Sequence, residues 1–174
     1  VWTERFNDYV SDLELFMQRV RSAEPGKKIF LFGHSMGGAI VTLHTLTAKS
    51  KADGLITSGA ALKDDASPFL TGPVKFLSWA APRAAVFELN NADFSRDPKI
   101  VAAMSTDPLV YNTKAPARTA AEILGAIAQI RSHAKDLTIP LLAMHGSLDK
   151  VTPPSGSQEL VAAAASADKT MKLY

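Results

Sequence analysis

The chain has 174 residues, of which 47% are hydrophobic and 21% charged, and it carries a formal net charge of +2 without any cysteine. This length and composition suit one domain with a sizeable core, and the composition is not that of an intrinsically disordered chain. The small net charge on scattered basic residues argues against nucleic acid as a partner. The absence of cysteine excludes disulfides, thiolate metal sites and a cysteine nucleophile.

An amphipathic helix is predicted at the start of the chain. Its apolar residues recur at spacings of three and four, and Pro25-Gly26 ends it before the first strand. These apolar residues are Trp2, Phe6, Tyr9, Val10, Leu13, Phe16, Met17 and Val20. We assign this stripe to the core and expect no function from it.

The stretch FLFGHSMGGA at residues 30–39 predicts a strand, a tight turn and a helix in immediate succession. A Gly-x-Ser-x-Gly turn places its serine at a strained corner between strand and helix, where the hydroxyl projects from the carboxyl end of the strand. We expect Gly33 and Gly37 to supply the space that a Cβ would fill. Ser35 is therefore the candidate nucleophile. The alternative is a glycine-rich turn with an idle serine.

A second strand is predicted from Gly54 to Ala60, after a helix that runs to about Lys49. Strand, helix and strand joined by short connections form a βαβ unit, which implies parallel neighbours in a sheet with helices on its faces. The sequence thus predicts an α/β fold with a mostly parallel sheet.

The segment 63–118 is broken by prolines into short helical pieces with no clear strand, and we interpret it as a helical insertion. Asp97-Pro98 is typical of a helix start, with proline at the first helical position. One hypothesis is a lid in which residues 70–81 line or gate an apolar substrate site, with Leu77 as a substrate-binding residue. The other is an ordinary helical subdomain that packs on the sheet.

Thr119-Ala-Ala-Glu122 has the pattern of a capping box and predicts a helix that continues to about His133. The apolar run from Pro140 to His145 predicts a buried strand. A last helix is expected at about residues 156–165, and a last strand at 170–174.

Asp149 lies in the loop that follows the Pro140–His145 strand. Because the carboxyl ends of parallel strands meet at one edge of a sheet, we expect this carboxylate near Ser35, as the acid of a catalytic triad. A turn or helix-capping role for Asp149 is the alternative, and Asp64 and Asp65 are the other acid candidates. We expect Val151, two residues further on, to face the same site.

The four histidines, His34, His44, His133 and His145, have no spacing that suggests a metal site. We therefore expect neither a metal nor a cofactor. His44 and His133 fall within or near the end of predicted helices, where satisfied or surface histidines are the common case.

The motifs GHSMGG at 33–38 and GSLDKV at 146–151 together resemble the monoacylglycerol lipase and lysophospholipase-like branch of the α/β-hydrolase superfamily. The resemblance extends through 94–98 and 107–110, which are similar to cap segments of that branch, to 169–174. It implies that Ser35 is the nucleophile, that Asp149 is the triad acid and that the backbone N–H of Met36 is one oxyanion donor.

The chain departs from that branch because no histidine follows Asp149, and the expected one would lie a few residues beyond Tyr174. The first strand begins near residue 30, so the earlier half of the sheet and a second oxyanion donor are also absent. We expect the chain to be the carboxyl-side half of the fold. The first strand should then have an unpaired edge, and the remaining segments of the same fold are expected partners.

The predicted organisation is a hydrolase core at 1–62 with the nucleophile, a helical cap at 63–118 and a second part of the core at 119–174 with the acid. The predicted function is hydrolysis of a fatty-acid ester, a monoacylglycerol or lysophospholipid, with peripheral membrane contact through the cap. The alternatives are a short-chain carboxylesterase or thioesterase, and a non-catalytic receptor or scaffold.

Overall fold

The main sheet has four parallel strands in the order β1-β2-β5-β6, which confirms the predicted α/β class. The computed structural model describes residues 2–48, 51–64 and 68–174, with the backbone alone for 68–71. The strands of the main sheet are β1 at Phe30–His34, β2 at Gly54–Ser58, β5 at Leu141–His145 and β6 at Lys169–Leu173.

Six α-helices accompany the sheet in the described part of the chain. They are α1 at Phe6–Ala23, α2 at Met36–Thr47, α3 at Pro68–Ala80, α4 at Pro98–Thr106, α5 at Ala117–His133 and α6 at Pro154–Ala163. No helix among the described residues is both long and apolar enough to cross a membrane.

The core lies on one face of the sheet. Leu31, Leu55 and Leu141 are neighbours across β1, β2 and β5, and all three are buried. They belong to one apolar cluster with residues of α1, α2, α5 and α6, such as Met17 and Ile130. The predicted apolar stripe therefore serves as core at Phe6, Val10 and Met17, whereas Trp2 and Phe16 are exposed.

The opposite face of the sheet is more exposed at its outer strand, whereas the expectation of a mostly parallel sheet flanked by helices is confirmed. Phe30 and Phe32 of β1 point to this face and are 56% and 60% exposed. Strand β1 is also the outer strand of the sheet. The expectation that its free edge is unpaired is confirmed for the described residues.

The segment between β2 and α5 contains two strands, although the sequence predicts none there. β3 at Ala85–Phe87 pairs antiparallel with β4 at Ala115–Pro116, outside the main sheet. Strands of three and two residues are too short to show a periodicity. The predicted helix start at Asp97-Pro98 is confirmed, because the Asp97 carboxylate accepts a hydrogen bond from the Lys99 N–H at the start of α4.

The predicted capping box at Thr119 is wrong. Helix α5 begins two residues earlier, at Ala117, without a side-chain cap. Thr119 Oγ1 instead accepts from the backbone N–H of Thr3, and Glu122 Oε2 accepts from that of Phe6, the first residue of α1. Glu122 therefore serves the start of a distant helix, where an uncapped N–H needs an acceptor, and Thr119 holds the segment just before that helix.

The close approach of β1 and α2 depends on Gly33 and Gly38 rather than on Gly33 and Gly37. A Cβ on Gly33 would lie 2.6 Å from the Gly37 carbonyl carbon and 2.6 Å from Val41 Cγ2. A Cβ on Gly38 would lie 3.0 Å from Ala60 Cα. Around Gly37 nothing in the described structure lies within 4 Å of such an atom, so that part of the prediction is wrong.

We predict that Gly33→Ala destabilises the protein by roughly 1–3 kcal/mol, the usual cost of overpacking. Gly37→Ala is the matched control and should be neutral or stabilising by less than about 1 kcal/mol, because glycine is unfavourable inside a helix. Urea unfolding measures both. Equal destabilisation by the two variants would contradict the packing described here.

Candidate active site

Ser35 forms a strained corner between β1 and α2. It is the only non-glycine residue with positive φ among the described residues, with φ 53° and ψ −123°. A conformation of this kind costs of order 1–3 kcal/mol and persists only where the surroundings enforce it. Here the Ser35 N–H donates to the Ser58 carbonyl at 3.0 Å, and its own carbonyl accepts from the Ala61 N–H at 3.0 Å. The neighbouring strand β2 thus holds the corner in place.

The Ser35 hydroxyl is not used to cap α2. Serine at a helix N-cap normally accepts a hydrogen bond from the first turn, but Ser35 makes no such bond. The unpaired N–H groups and the positive dipole end of α2, beginning with Met36, therefore lie beside a hydroxyl that does not satisfy them. This arrangement favours a negative charge that develops next to Ser35.

Asp149 lies in the turn after β5 and uses its two carboxylate oxygens differently. Oδ1 accepts from the backbone N–H groups of Val151 and Thr152, at 2.9 Å each. Oδ2 accepts from Thr152 Oγ1 at 3.0 Å. The turn-capping role weighed above is therefore present. Because a carboxylate oxygen accepts two hydrogen bonds, Oδ2 retains capacity for another donor.

The pKa of Asp149 lies below its ordinary value. Burial acts to raise it, but the hydrogen bonds from the Thr152 and Val151 backbones and from the Thr152 hydroxyl favour the charged form and outweigh the burial. Asp149 is consequently an anion at neutral pH.

The turn after β2 brings the serine corner and the acid loop together. Gly59 has φ 49°. A Cβ built on it would lie 3.4 Å from Asp149 Oδ2 and 3.4 Å from the ring of His34, the residue that precedes Ser35. The expected placement of Asp149 and Ser35 at one edge of the sheet is confirmed. Asp64 makes no hydrogen bond within the described residues, and Asp65 lies outside them.

No histidine contacts the Ser35 hydroxyl within the described structure. His34 Nδ1 donates to the Ser58 carbonyl, and His133 Nδ1 donates to that of Gln129. His44 is buried and bonded to Glu14 on α1. His145 is buried beneath Asp149 and has partners on both ring nitrogens. The described residues also contain no cluster of His, Asp or Glu suited to a metal ion.

A cleft of about 840 Å³ opens beside Met36. It lies between α5 and the segment that contains β3, α4 and β4. Its volume is within the usual range for a small-molecule site. Its apolar lining includes Phe87, Leu89, Val101, Met104, Val110 and Ile123, and its polar lining includes Asn90, Asn91, Ser105, Tyr111 and Asn112.

The structure does not place Leu77 or Val151 in the lining of this cleft. Leu77 is half-buried on α3, and its neighbours Ser78 and Trp79 line a separate cleft with Trp2. The side chain of Leu70 is outside the described structure. Substrate binding by Leu77 and Val151 remains a prediction without support from the cleft. The lining residues were missed because they are scattered over 87–123 without a period.

We predict that Thr152→Val lowers the free energy of unfolding by about 1 kcal/mol at pH 7, the usual worth of one hydrogen bond. The pKa of Asp149 is lower in the folded than in the unfolded protein. The stabilisation from its hydrogen bonds is therefore complete above about pH 3.9 and is lost as the pH falls through the folded-state pKa.

Urea unfolding as a function of pH tests this, with Thr170→Val on the exposed last strand as the control. The difference in free energy of unfolding between the Thr152→Val and the unsubstituted protein should become smaller below about pH 3.9. The control should show no such change. A Thr152→Val effect that is equal at pH 7 and pH 3 would contradict the prediction.

The sequence of this chain is similar to those of proteins named as monoacylglycerol or monoglyceride lipases. The chain is 34% identical over 170 residues to a monoacylglycerol lipase of Mycolicibacterium smegmatis, covering 97% of this chain and 61% of the relative. It is 27% identical over 172 residues to a monoglyceride lipase of Homo sapiens, covering 97% of this chain and 57% of the relative. The chain thus spans about three fifths of the length of these relatives.

Among solved structures, the monoacylglycerol lipase of Paleococcus ferrophilus has a similar fold, with a TM-score of 0.84 and 25% identity. The match covers 98% of this chain and 65% of that protein, so the fold seen here corresponds to part of an α/β-hydrolase. The whole of residues 1–174 matches the family described as "Serine aminopeptidase, S33". This chain therefore belongs to that family of α/β-hydrolases.

Proposed function

We propose that the protein is a serine hydrolase that cleaves monoacylglycerols or closely related neutral long-chain esters through an acyl-enzyme on Ser35. The observation that carries this proposal is the serine itself, held in a strained corner with its hydroxyl not engaged in capping, beside an apolar cleft. The names of the relatives from Mycolicibacterium smegmatis and Homo sapiens support the choice of substrate.

In the proposed reaction, Ser35 Oγ attacks the ester carbonyl carbon while its proton passes to a histidine supplied from outside these 174 residues. The carbonyl oxygen becomes an oxyanion, which accepts a hydrogen bond from the Met36 N–H. One such donor is worth about 3 kcal/mol to the transition state. When the carbon–oxygen bond to glycerol breaks, the histidine returns the proton to the leaving oxygen.

Hydrolysis of the acyl-enzyme repeats these steps with water. The histidine removes a proton from the water molecule, whose oxygen attacks the acyl carbon. The bond to Ser35 Oγ then breaks, the serine regains its proton and the fatty acid leaves. Asp149 would accept a hydrogen bond from the histidine on its Oδ2 and stabilise the charged ring. The low pKa of Asp149 suits this role because it keeps the carboxylate charged.

The charge of the cleft favours a neutral substrate. Glu88 is the one charged side chain in the described lining. The phosphate of a lysophospholipid would be repelled by this negative charge and would find no cationic partner in the described lining. A glycerol head group is uncharged and would not be repelled. Monoacylglycerol is therefore preferred to lysophospholipid, although both were predicted from the sequence.

Two further expectations belong to the same proposal. The segment 63–118 would act as a cap, because its α4 and the strand β3 lie around the cleft. Trp79 and Leu109, 79% and 92% exposed, would allow that cap to make peripheral contact with a lipid surface. The rival function is a short-chain carboxylesterase or thioesterase, and the volume and apolar lining of the cleft favour a longer acyl chain.

We predict that Ser35→Ala abolishes hydrolysis of a monoacylglycerol by the full-length protein while the melting temperature changes little. Ser147→Ala, at an exposed turn on the same sheet edge, is the control and should keep near-normal turnover. Hydrolysis is followed by release of fatty acid. Substantial turnover by the Ser35→Ala protein, or turnover of peptide amides but not of esters by the unsubstituted protein, would refute the proposal.

We also predict that Val101→Asp, within the cleft, lowers turnover of long-chain esters by roughly a hundredfold, as if about four methylenes at ~0.8 kcal/mol each were no longer buried. Short-chain esters should lose much less. Ala102→Asp on the exposed side of α4 is the control. Kinetics on esters of increasing acyl length decide the matter. A selective long-chain loss in Leu77→Asp or Val151→Asp, but not in Val101→Asp, would instead place the acyl chain where the sequence first predicted it.

A further inference from the structure

His145 lies at the end of β5, directly behind the loop that carries Asp149. Its side chain is 2% exposed, and both ring nitrogens have partners. Nε2 is 2.9 Å from the Thr152 carbonyl oxygen, and Nδ1 is 2.8 Å from Ser157 Oγ on α6. No step of the proposed reaction uses this buried ring.

The partners determine where the ring proton resides. A carbonyl oxygen can only accept, so Nε2 must carry the hydrogen and donate it to Thr152. Nδ1 pairs with the Ser157 hydroxyl, which can donate or accept. Both ring nitrogens are thus engaged, and no hydrogen of His145 is available to Ser35 or to a substrate. These bonds exclude His145 as the catalytic base.

Thr152 connects the ring to the acid. Its N–H donates to Asp149 Oδ1, and its hydroxyl donates toward Asp149 Oδ2 and the Gly59 carbonyl, both at 3.0 Å. His145 Nε2 is also 3.3 Å from the Thr152 hydroxyl oxygen and 3.5 Å from Asp149 Oδ2 itself. Because the ring presents an N–H on this side, the hydroxyl proton must point away from it, toward the Asp149 carboxylate and the Gly59 carbonyl that share it.

We propose that His145 is a positioning residue for Asp149. Through Thr152 it fixes the donors that hold both carboxylate oxygens, so that Oδ2 is aimed at the place where a triad histidine would bind. Ser157 completes the set by holding the far side of the ring. This inference rests on the proposed role of Asp149 as the triad acid.

His44 provides a matched comparison within the same chain. It is also fully buried, but it bonds to Glu14 on α1, and its Nδ1 has no partner among the described residues. A substitution of His44 therefore perturbs a buried histidine without a hydrogen-bonded path to Asp149. A His44 variant therefore shows how much a loss of stability alone changes the reactivity of Ser35.

The test uses the full-length protein and the rate of labelling by a fluorophosphonate probe, which requires an activated serine. His145→Leu should slow labelling roughly tenfold to a hundredfold, the range expected for coupled neighbours. His145→Gln keeps a side-chain N–H for the Thr152 carbonyl and should recover part of the rate. Ser157→Ala should give a smaller loss. His44→Leu should lower the melting temperature but leave labelling within about threefold.

The deciding measurement repeats His145→Leu and Ser157→Ala in the Asp149→Asn background. If His145 acts through Asp149, each substitution should then slow labelling further by less than about threefold. The same factor in both backgrounds, or an equal loss from His44→Leu, would show a purely structural role and overturn the inference. Should His145→Leu not fold, His145→Gln and Ser157→Ala carry the same comparison.

The outcomes also separate this inference from the proposed function. If Asp149→Asn slows labelling and neither His145→Leu nor Ser157→Ala does, the inference alone fails. If Asp149→Asn leaves labelling unchanged, the assignment of the acid is wrong and the inference falls with it.

Discussion

The strained conformation of Ser35 is the constraint on which the rest of the site depends. A positive φ at a serine is unfavourable, and it is held here by two backbone hydrogen bonds to the end of β2 and by close contact between β1 and α2. The contact is close because Gly33 and Gly38 lack a Cβ. The same turn keeps the hydroxyl from capping α2 and directs the start of that helix toward it.

The order of the strands explains how the acid reaches the serine. β1, β2 and β5 are adjacent and parallel, so the loops after them emerge at one edge of the sheet. Gly59, after the central strand of the three, lies between His34 and Asp149, and its φ of 49° is a conformation that favours glycine. Behind the carboxylate, Thr152 and His145 form a buried polar network in which every side-chain nitrogen and oxygen atom has a hydrogen-bond partner. Such networks are rigid because loss of any member leaves a polar group unpaired.

Local sequence signals predicted the parts of the structure that local forces determine. The strand, turn and helix around Ser35, the start of α4 at Asp97 and the loop position of Asp149 all follow from short motifs with a clear physical basis. The resemblance to α/β-hydrolases agrees with the assignment of Asp149 as the acid, a role that remains a proposal.

Features that depend on distant contacts were not predicted. Thr119 and Glu122 form a capping pattern in sequence, yet they bond to the start of α1 and the residues just before it, more than a hundred residues away. The need for a glycine at position 38 arises from Ala60, beyond the helix that follows. The residues that line the cleft were not predicted, because its walls come from several short elements. Nothing in the neighbouring sequence of His145 indicates that its ring supports Thr152.

The central claim is that Ser35 forms a covalent acyl intermediate, and the most direct measurement is the site of covalent modification in the full-length protein. The protein is treated with a fluorophosphonate, digested and analysed by mass spectrometry of its peptides. The account predicts a single adduct, on the peptide that contains Ser35, and its loss when a monoacylglycerol is present in excess. An adduct on a different serine, or no adduct in a protein that still hydrolyses esters, would contradict it.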